Sequence, residues 1–87
     1  MVVMSTLITL AKKTKESQQQ VIEEAVQYFQ RETSLKLASS GPCCVIFGEM
    51  YWDYVKVSVS KEDDVSEVTV ESRGYESLAS KFLEKLK

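Results

Sequence analysis

The sequence predicts an α+β fold in which one antiparallel sheet carries two amphipathic helices on the same side. The 87 residues include 44% hydrophobic and 28% charged residues, which is an ordinary globular composition. The predicted elements follow the order β-α-β-β-β-β-α, and two helices with one apolar stripe each need a single apolar sheet surface to cover. At this length, residues 1–87 are expected to form one domain.

The first strand, β1, is predicted at Val3 to Leu10, where Val, Thr, Leu and Ile are concentrated. Because both of its sides carry apolar groups, we expect β1 to be a central strand of the sheet. A polar connector follows at Lys12 to Glu16. Ser17 and Gln20 then have the spacing of a capping box, which predicts the start of a helix.

Two helices are predicted from apolar residues that recur at helical spacing. The first, α1, spans Gln18 to Glu32, and the second, α2, spans Tyr75 to Leu86. The stripe of α1 consists of Val21, Ile22, Ala25, Val26 and Phe29. The stripe of α2 consists of Tyr75, Leu78, Ala79, Phe82, Leu83 and Leu86. Each helix should bury its stripe against the sheet.

Four strands are predicted between the helices. A short alternating stretch, β2 at Leu35 to Ser39, is joined to an apolar run, β3 at Cys43 to Phe47, by a turn rich in Ser, Gly and Pro. Strict alternation then predicts β4 at Tyr54 to Ser60 and β5 at Val65 to Glu71.

The β4 and β5 strands are expected to form a hairpin with a four-residue loop, Lys61 to Asp64. In that register the valines line one surface and polar residues line the other. The predicted pairs are Ser60 with Val65, Val57 with Val68, Val55 with Val70, Lys56 with Thr69, Tyr54 with Glu71 and Ser58 with Glu67.

Strand β3 breaks the alternation, because its residues are all apolar and place large groups on the open side of the sheet in either register. Exposed apolar patches usually mark contact surfaces. We therefore expect a binding surface formed by the outward residues among Val45, Ile46 and Phe47, together with Tyr54. Self-association as a homodimer is the expected use of this surface, and another protein is the alternative partner.

The loop between β3 and β4 combines the carboxylates Glu49 and Asp53 with the aromatic residues Tyr51 and Trp52. Loops on rigid scaffolds often carry binding groups, although large aromatics in so small a domain more often close the core. Two functions remain open for this region. One is a carrier that holds a small molecule between sheet and helices, lined by Tyr51, Trp52 and Phe82. The other is an enzyme that uses Glu49 or Asp53 as acid or base.

Composition excludes several classes of function. The chain has no His, which removes the commonest general base and metal ligand, so we expect no cofactor and no catalysis. A net charge of −2 argues against nucleic acid as a partner, and the apolar amino-terminal stretch is too short to span a membrane. Two adjacent cysteines, Cys43 and Cys44, do not form a disulfide framework, which favours the cytoplasm.

The element order resembles the TATA-box-binding-protein-like fold, which also occurs in small archaeal and bacterial proteins. The resemblance covers nearly all of the chain as pattern alone, and its anchors are residues 21–29 and residues 67–72 followed by the last helix. Family members that bind DNA use a basic sheet surface, whereas Glu67 and Glu71 occupy that surface here. The expected function is a small, non-catalytic interaction or ligand-binding domain that associates through its open sheet surface or a free sheet edge.

Overall fold

A computed structural model describes residues 7–49 and 53–86 of the chain. It contains five strands and two helices in the predicted order. Their bounds are β1 Leu7–Thr14, α1 Gln18–Glu32, β2 Leu37–Ser40, β3 Cys44–Gly48, β4 Tyr54–Glu62, β5 Val65–Arg73 and α2 Glu76–Lys85. All strand pairs are antiparallel, which confirms the predicted α+β class.

The sheet has the strand order β1-β5-β4-β3-β2, so β1 and β2 are its two edges. The prediction of a central β1 is therefore wrong. The strand also continues further along the chain than predicted, because residues 12–14, expected as part of the polar connector, pair with β5. The apolar groups on the far side of β1 do not reflect burial, since Leu7 is 44% exposed. Residues 3–6 of the predicted strand lie outside the described residues.

The β4–β5 hairpin has a two-residue turn at Asp63 and Asp64 instead of the four-residue loop that was predicted. Glu62 pairs with Val65, and Val57 pairs with Val70, which shifts the register by two residues. A shift of two residues leaves every side chain on its predicted side of the sheet, because side chains alternate with a period of two. The valine surface is therefore confirmed although the individual pairs are not.

Helix α1 begins and ends where the sequence predicts. Its first turn is capped by Ser17, whose hydroxyl accepts a hydrogen bond from the N–H of Gln20 at 3.1 Å. Its last turn is closed by Thr33, whose N–H and hydroxyl both donate to the carbonyl of Phe29, at 3.1 and 2.6 Å. Both caps involve neighbouring residues, which explains why a local pattern located the helix.

Both helices pack on the same side of the sheet, here called the inner face. Helix α1 contacts β3 and β4, and α2 contacts β5 and β1. The two helices meet at an aromatic cluster in which the ring of Phe82 lies 5.6 Å from that of Tyr28 and 5.3 Å from that of Phe29. Phe82 is 2% exposed, so the predicted stripe of α2 is a core element.

A lysine from the sheet holds the carboxyl end of α2. The ammonium of Lys12 donates to the carbonyl of Leu83 at 3.0 Å and to that of Leu86 at 2.8 Å. The last carbonyls of a helix lack intrahelical donors and carry partial negative charge, so a cation there satisfies both needs. Lys12 is half-buried on the inner face of β1 and packs opposite Val68.

Candidate functional site

The side of the sheet away from the helices, here called the outer face, is mostly polar. The registers place alternate residues of four strands on it. These residues include Thr9, Ala11, Lys13, Glu67, Thr69, Glu71, Lys56, Ser58, Ser60, Cys44 and Ile46. Opposite charges meet across strands, since Lys56 pairs with Glu71. Such a surface is suited to water, with limited apolar area for docking.

The register of β3 decides which of its apolar residues face outward. Val45 and Phe47 point into the core and are 0% exposed, so neither is on a contact surface in the folded chain. Ile46 lies on the outer face and is half-buried, opposite Lys56 of β4. Cys44 is the second outward residue of the run. Of the three β3 residues expected on this surface, only Ile46 faces outward, and Cys44 lies beside it on the same face.

Tyr54 lies on the outer side of the sheet but is only 3% exposed. Its hydroxyl donates to Oε2 of Glu71 at 2.6 Å, and the guanidinium of Arg73 lies 5.7 Å from the centre of its ring. The hydrogen bond to Glu71, together with burial, raises the pKa of the Tyr54 phenol above its usual range. These contacts give Tyr54 a structural role and leave little of its surface for a partner.

Glu49 and Asp53 are both exposed and lie at one end of the sheet. They line an open cleft of about 550 Å³ with residues from the α1–β2 connection, from the β3 end and from the start of α2. The other described lining residues are Ser34, Leu35, Lys36, Ala38, Gly48 and Tyr75. Tyr51 and Trp52, the aromatic candidates of the same loop, lie outside the described residues.

Two glycines with positive φ pack against Asp53. A Cβ on Gly48, whose φ is +85°, would lie 2.5 Å from the Asp53 carbonyl oxygen. A Cβ on Gly74, whose φ is +92°, would lie 2.8 Å from Oδ1 of the same residue. The carbonyl of Asp53 thus lies against Gly48 and its carboxylate against Gly74, and the positive φ of both glycines is a conformation that other residues rarely adopt.

The cleft differs from the pocket that the carrier hypothesis expects. That pocket would lie between sheet and helices and include Phe82, which instead lies in the packed aromatic cluster. The cleft has both apolar lining, from Leu35 and Ala38, and charged groups of both signs. Across residues 7–49 and 53–86, no three His, Cys, Asp or Glu side chains are grouped so that they could bind a metal.

The edge strand β1 offers a different kind of site, made of backbone groups. The N–H of Val59 in β4 donates to the carbonyl of Cys43 at 2.8 Å, so the odd-numbered residues of β4 direct their backbone groups toward β3. Because hydrogen-bonded and non-hydrogen-bonded pairs alternate along antiparallel strands, Val57 and Val70 are then a non-hydrogen-bonded pair. Val70 therefore turns its backbone groups toward β1 and bonds with Leu10.

The backbone groups of the odd-numbered β1 residues point away from the sheet by the same alternation. These residues are Leu7, Thr9, Ala11 and Lys13, and all of them are exposed. Among the described residues, β1 pairs with β5 alone. The chain thus presents a regular strand of eight residues whose outer row of N–H and C=O groups has no strand partner in the part that the structure describes.

The two sheet edges are protected to different degrees. Strand β2 has only four residues and an irregular register between Leu37 and Ser39, features that hinder pairing with another strand. Strand β1 has a continuous register with β5 and two lysines that could repel an incoming strand. The ammonium of Lys12 is bound to the carbonyls at the end of α2, so Lys13 is the lysine of β1 whose charge would repel a basic incoming strand.

The sequence reasoning missed Thr9, Ala11 and Lys13 as site residues, because an edge position depends on which strands are neighbours. The only signal in the sequence is that residues 11–14 read Ala-Lys-Lys-Thr, which would place polar residues on both faces of a strand. That pattern also fits a connector, so the sequence did not distinguish the two.

Comparisons with protein-family models, with curated proteins and with solved structures found no match for the chain. The resemblance to the TATA-box-binding-protein-like fold therefore stays a prediction. Neither described helix has the length and apolar character that crossing a bilayer requires. The described residues define a class by geometry alone, namely an antiparallel α+β sheet whose edge strand β1 has no second strand partner among them.

Proposed function

We propose that the protein is a small, non-catalytic interaction domain that binds a protein partner by accepting a strand at the edge of β1. The observation that supports this function is the outward row of backbone groups at Thr9, Ala11 and Lys13. Two adjacent free cysteines, without the spacing of a disulfide framework, support a cytoplasmic location within the same proposal.

Strand addition draws its affinity from main-chain hydrogen bonds and its specificity from alternate side chains. The β1 edge offers both, because the free backbone groups belong to residues whose side chains lie on the outer face. The outer face itself is the weaker candidate, since Ile46 and Cys44 are its few apolar residues near the centre. The edge is therefore the surface on which association is expected.

Nucleic acid is not part of the proposal. The chain has a net charge of −2, and Glu67 and Glu71 place carboxylates on the outer face. Affinity for nucleic acid depends on lysines and arginines that neutralise phosphates, so we expect a dissociation constant no lower than about 10⁻⁴ M at physiological salt. A micromolar, salt-sensitive complex with duplex DNA would contradict this expectation.

The proposal can be tested with a synthetic peptide that has the sequence of Leu7–Thr14, blocked at both ends. The peptide is titrated into ¹⁵N-labelled full-length protein, and binding is followed by NMR chemical shifts and amide exchange. Strand addition predicts shift changes concentrated in β1, with slower exchange of the Thr9 and Ala11 amides.

A peptide N-methylated at both Leu10 and Ala11 provides the matched control. A free peptide has no helices that fix its face, so either of its backbone rows can pair with the chain, and this peptide lacks a donor in each row. It should bind far more weakly than the unmethylated peptide. Shift changes confined to the outer face or the cleft, or none with any peptide, would overturn the proposed use of the edge.

A small-molecule carrier is the second candidate, and the cleft at the end of the sheet favours it. Its volume of about 550 Å³ falls within the range of ligand pockets. Its site differs from the original hypothesis, because Tyr75 and Leu35 line it instead of Phe82. Native mass spectrometry of freshly purified protein tests it: a retained small molecule that is lost in Tyr75→Ala supports a carrier, and uniformly ligand-free protein removes that support.

A further inference from the structure

We infer that the strand accepted by β1 is the β1 strand of a second copy. The two strands pair antiparallel, and the two-fold axis passes midway between Leu10 and Leu10 of the second copy. This inference rests on the proposed function of the edge. The product is a closed dimer in which two five-stranded sheets form one continuous sheet with all four helices on the same side. The face, the register and the spacing of the helices each restrict the pairing.

The face is fixed by the helices. Residues directly opposite each other in an antiparallel pair lie on the same side of the sheet. The even-numbered residues Ile8, Leu10 and Lys12 lie on the inner face, opposite Ser72, Val70 and Val68. A continuous inner face therefore requires even-numbered residues of one copy to face even-numbered residues of the other. One residue of β1 then lies directly opposite its own copy, with the two-fold axis midway between the two.

Two registers pair most of the described strand, one centred on Leu10 and the other on Ala11. Centring on Leu10 pairs the half-buried Leu10 with its own copy and Leu7, which is 44% exposed, with the aliphatic stem of Lys13. Centring on Ala11 instead places Leu10 opposite Lys12 of the second copy. The first register covers more apolar surface, which is the term that favours association.

Charge and pairing length exclude the registers further along the strand. Centring on Lys13 would oppose two exposed ammonium groups directly, and like charges directly opposite each other are destabilising. Centring on Lys12 would pair only residues 10–14 of each strand. In the register centred on Leu10, Lys12 faces Ile8 of the second copy and Lys13 faces Leu7. No lysine of the strand then faces another lysine.

The same register uses the free backbone groups. Thr9 lies opposite Ala11 of the second copy, and both residues direct their N–H and C=O groups to the edge, so each such pair exchanges two hydrogen bonds. Leu10 falls on a non-hydrogen-bonded position, where the Cα atoms of opposite residues are about 4.5 Å apart.

The helices fit this arrangement. Helix α2 contacts both β5 and β1, so its axis lies above these two strands. With strands spaced about 4.8 Å apart, each α2 lies about one strand spacing from the two-fold axis, and the two α2 helices are about 10 Å apart. That separation is the distance at which packed helices meet, so helix contacts add to the strand pairing.

The other edge does not serve equally well. Pairing β1 with β2 of a second copy would use only four residues and cross the irregular register of β2. It would also leave a free edge at each end and so generate open chains of molecules, whereas pairing of β1 with itself closes.

Single cysteines at β1 test the register in a full-length background in which Cys43 and Cys44 are replaced by serine. Oxidation of Leu10→Cys should give a disulfide-linked dimer, because a Cα separation of about 4.5 Å suits a disulfide. Thr9→Cys is the control, since residues 9 of the two copies would be about 8 Å apart, beyond disulfide reach. We expect at least about tenfold more cross-linked dimer from the first variant.

Sedimentation equilibrium of the wild-type chain provides the second measurement and does not depend on whether any variant folds. A monomer–dimer equilibrium together with the Leu10 cross-link supports the inference. Cross-linking strongest in Ala11→Cys, or a wild-type chain that is monomeric at hundreds of micromolar, overturns it. If the monomeric chain still binds the β1 peptide, the proposed function stands and the second copy is not the partner. If the chain binds neither the β1 peptide nor a second copy, both proposals fail.

Discussion

Replacing Lys12 with Met tests whether a sheet lysine holds the end of α2. The substitution keeps a long apolar side chain against the core but removes the ammonium that donates to the carbonyls of Leu83 and Leu86 at 3.0 and 2.8 Å. Lys13→Met is the matched control, because the neighbouring lysine is exposed on the outer face of the same strand.

The expected loss can be worked out from the two hydrogen bonds. A hydrogen bond from a charged donor contributes about 1.5 kcal/mol or more to stability, so two contribute about 3 kcal/mol. Two effects of the substitution offset about 1 kcal/mol of this loss. Water can reach the carbonyls at the helix end, and a half-buried ammonium no longer has to be desolvated. Lys12→Met should therefore lower the free energy of unfolding by about 2 kcal/mol, whereas Lys13→Met should change it by less than about 0.5 kcal/mol.

Urea denaturation followed by circular dichroism measures the difference. With a slope near 1 kcal/mol per M for a chain of this size, Lys12→Met should lower the midpoint by about 2 M. The measurement belongs at protein concentrations where the midpoint no longer depends on concentration, so that dimer dissociation does not contribute. Equal midpoints for the two variants would refute the role of Lys12 at the helix end.

Three further perturbations follow from the core, the outer face and the loop glycines. Phe82→Ala should cost about 3 to 5 kcal/mol because Phe82 is 2% exposed and contacts two aromatic rings, whereas Lys81→Ala on the exposed side of α2 should cost under about 0.5 kcal/mol in the same urea assay. The folded-state pKa of Tyr54 is raised, so its contribution to stability is full below the usual tyrosine pKa of about 10 and is lost as pH rises through the folded value. Tyr54→Phe should therefore flatten the decline of Tm above pH 10, and an unchanged slope would contradict the assigned hydrogen bond. Gly48→Ala should lower Tm far more than Gly41→Ala, because an added Cβ meets a backbone oxygen at 2.5 Å in the first case and at 3.7 Å in the second; equal Tm changes would show that the close approach does not constrain the loop.

Local signals in the sequence predicted the helices and the faces of the strands. Helix α1 was located correctly because its period and its Ser17 cap involve neighbouring residues. The valine surface of β4 and β5 was predicted correctly because alternation fixes the side of the sheet. The hairpin register was wrong, since a shift by two residues satisfies the same alternation.

Long-range relationships were not predictable from the same signals. Whether β1 is central or at an edge depends on which strands pair, and its residues carry apolar groups in either case. The contact of Lys12 with the end of α2 joins residues more than 70 positions apart, at separations of 71 and 74. Of the expected β3 surface, only Ile46 faces outward, because pairing with β4 sets which alternate residues enter the core.

Residue-resolved hydrogen–deuterium exchange of β1, at low and high concentrations of full-length protein, tests the accessible edge most directly. In dilute protein the amides of Thr9, Ala11 and Lys13 should exchange rapidly, while the Leu10 amide, bonded to β5, is protected. Raising the protein concentration should slow the Thr9 and Ala11 amides as the edge accepts a strand. Equal protection of odd- and even-numbered amides in dilute protein would show that the edge is already covered, and exchange of Thr9 and Ala11 that stays rapid at every concentration would contradict strand addition between copies.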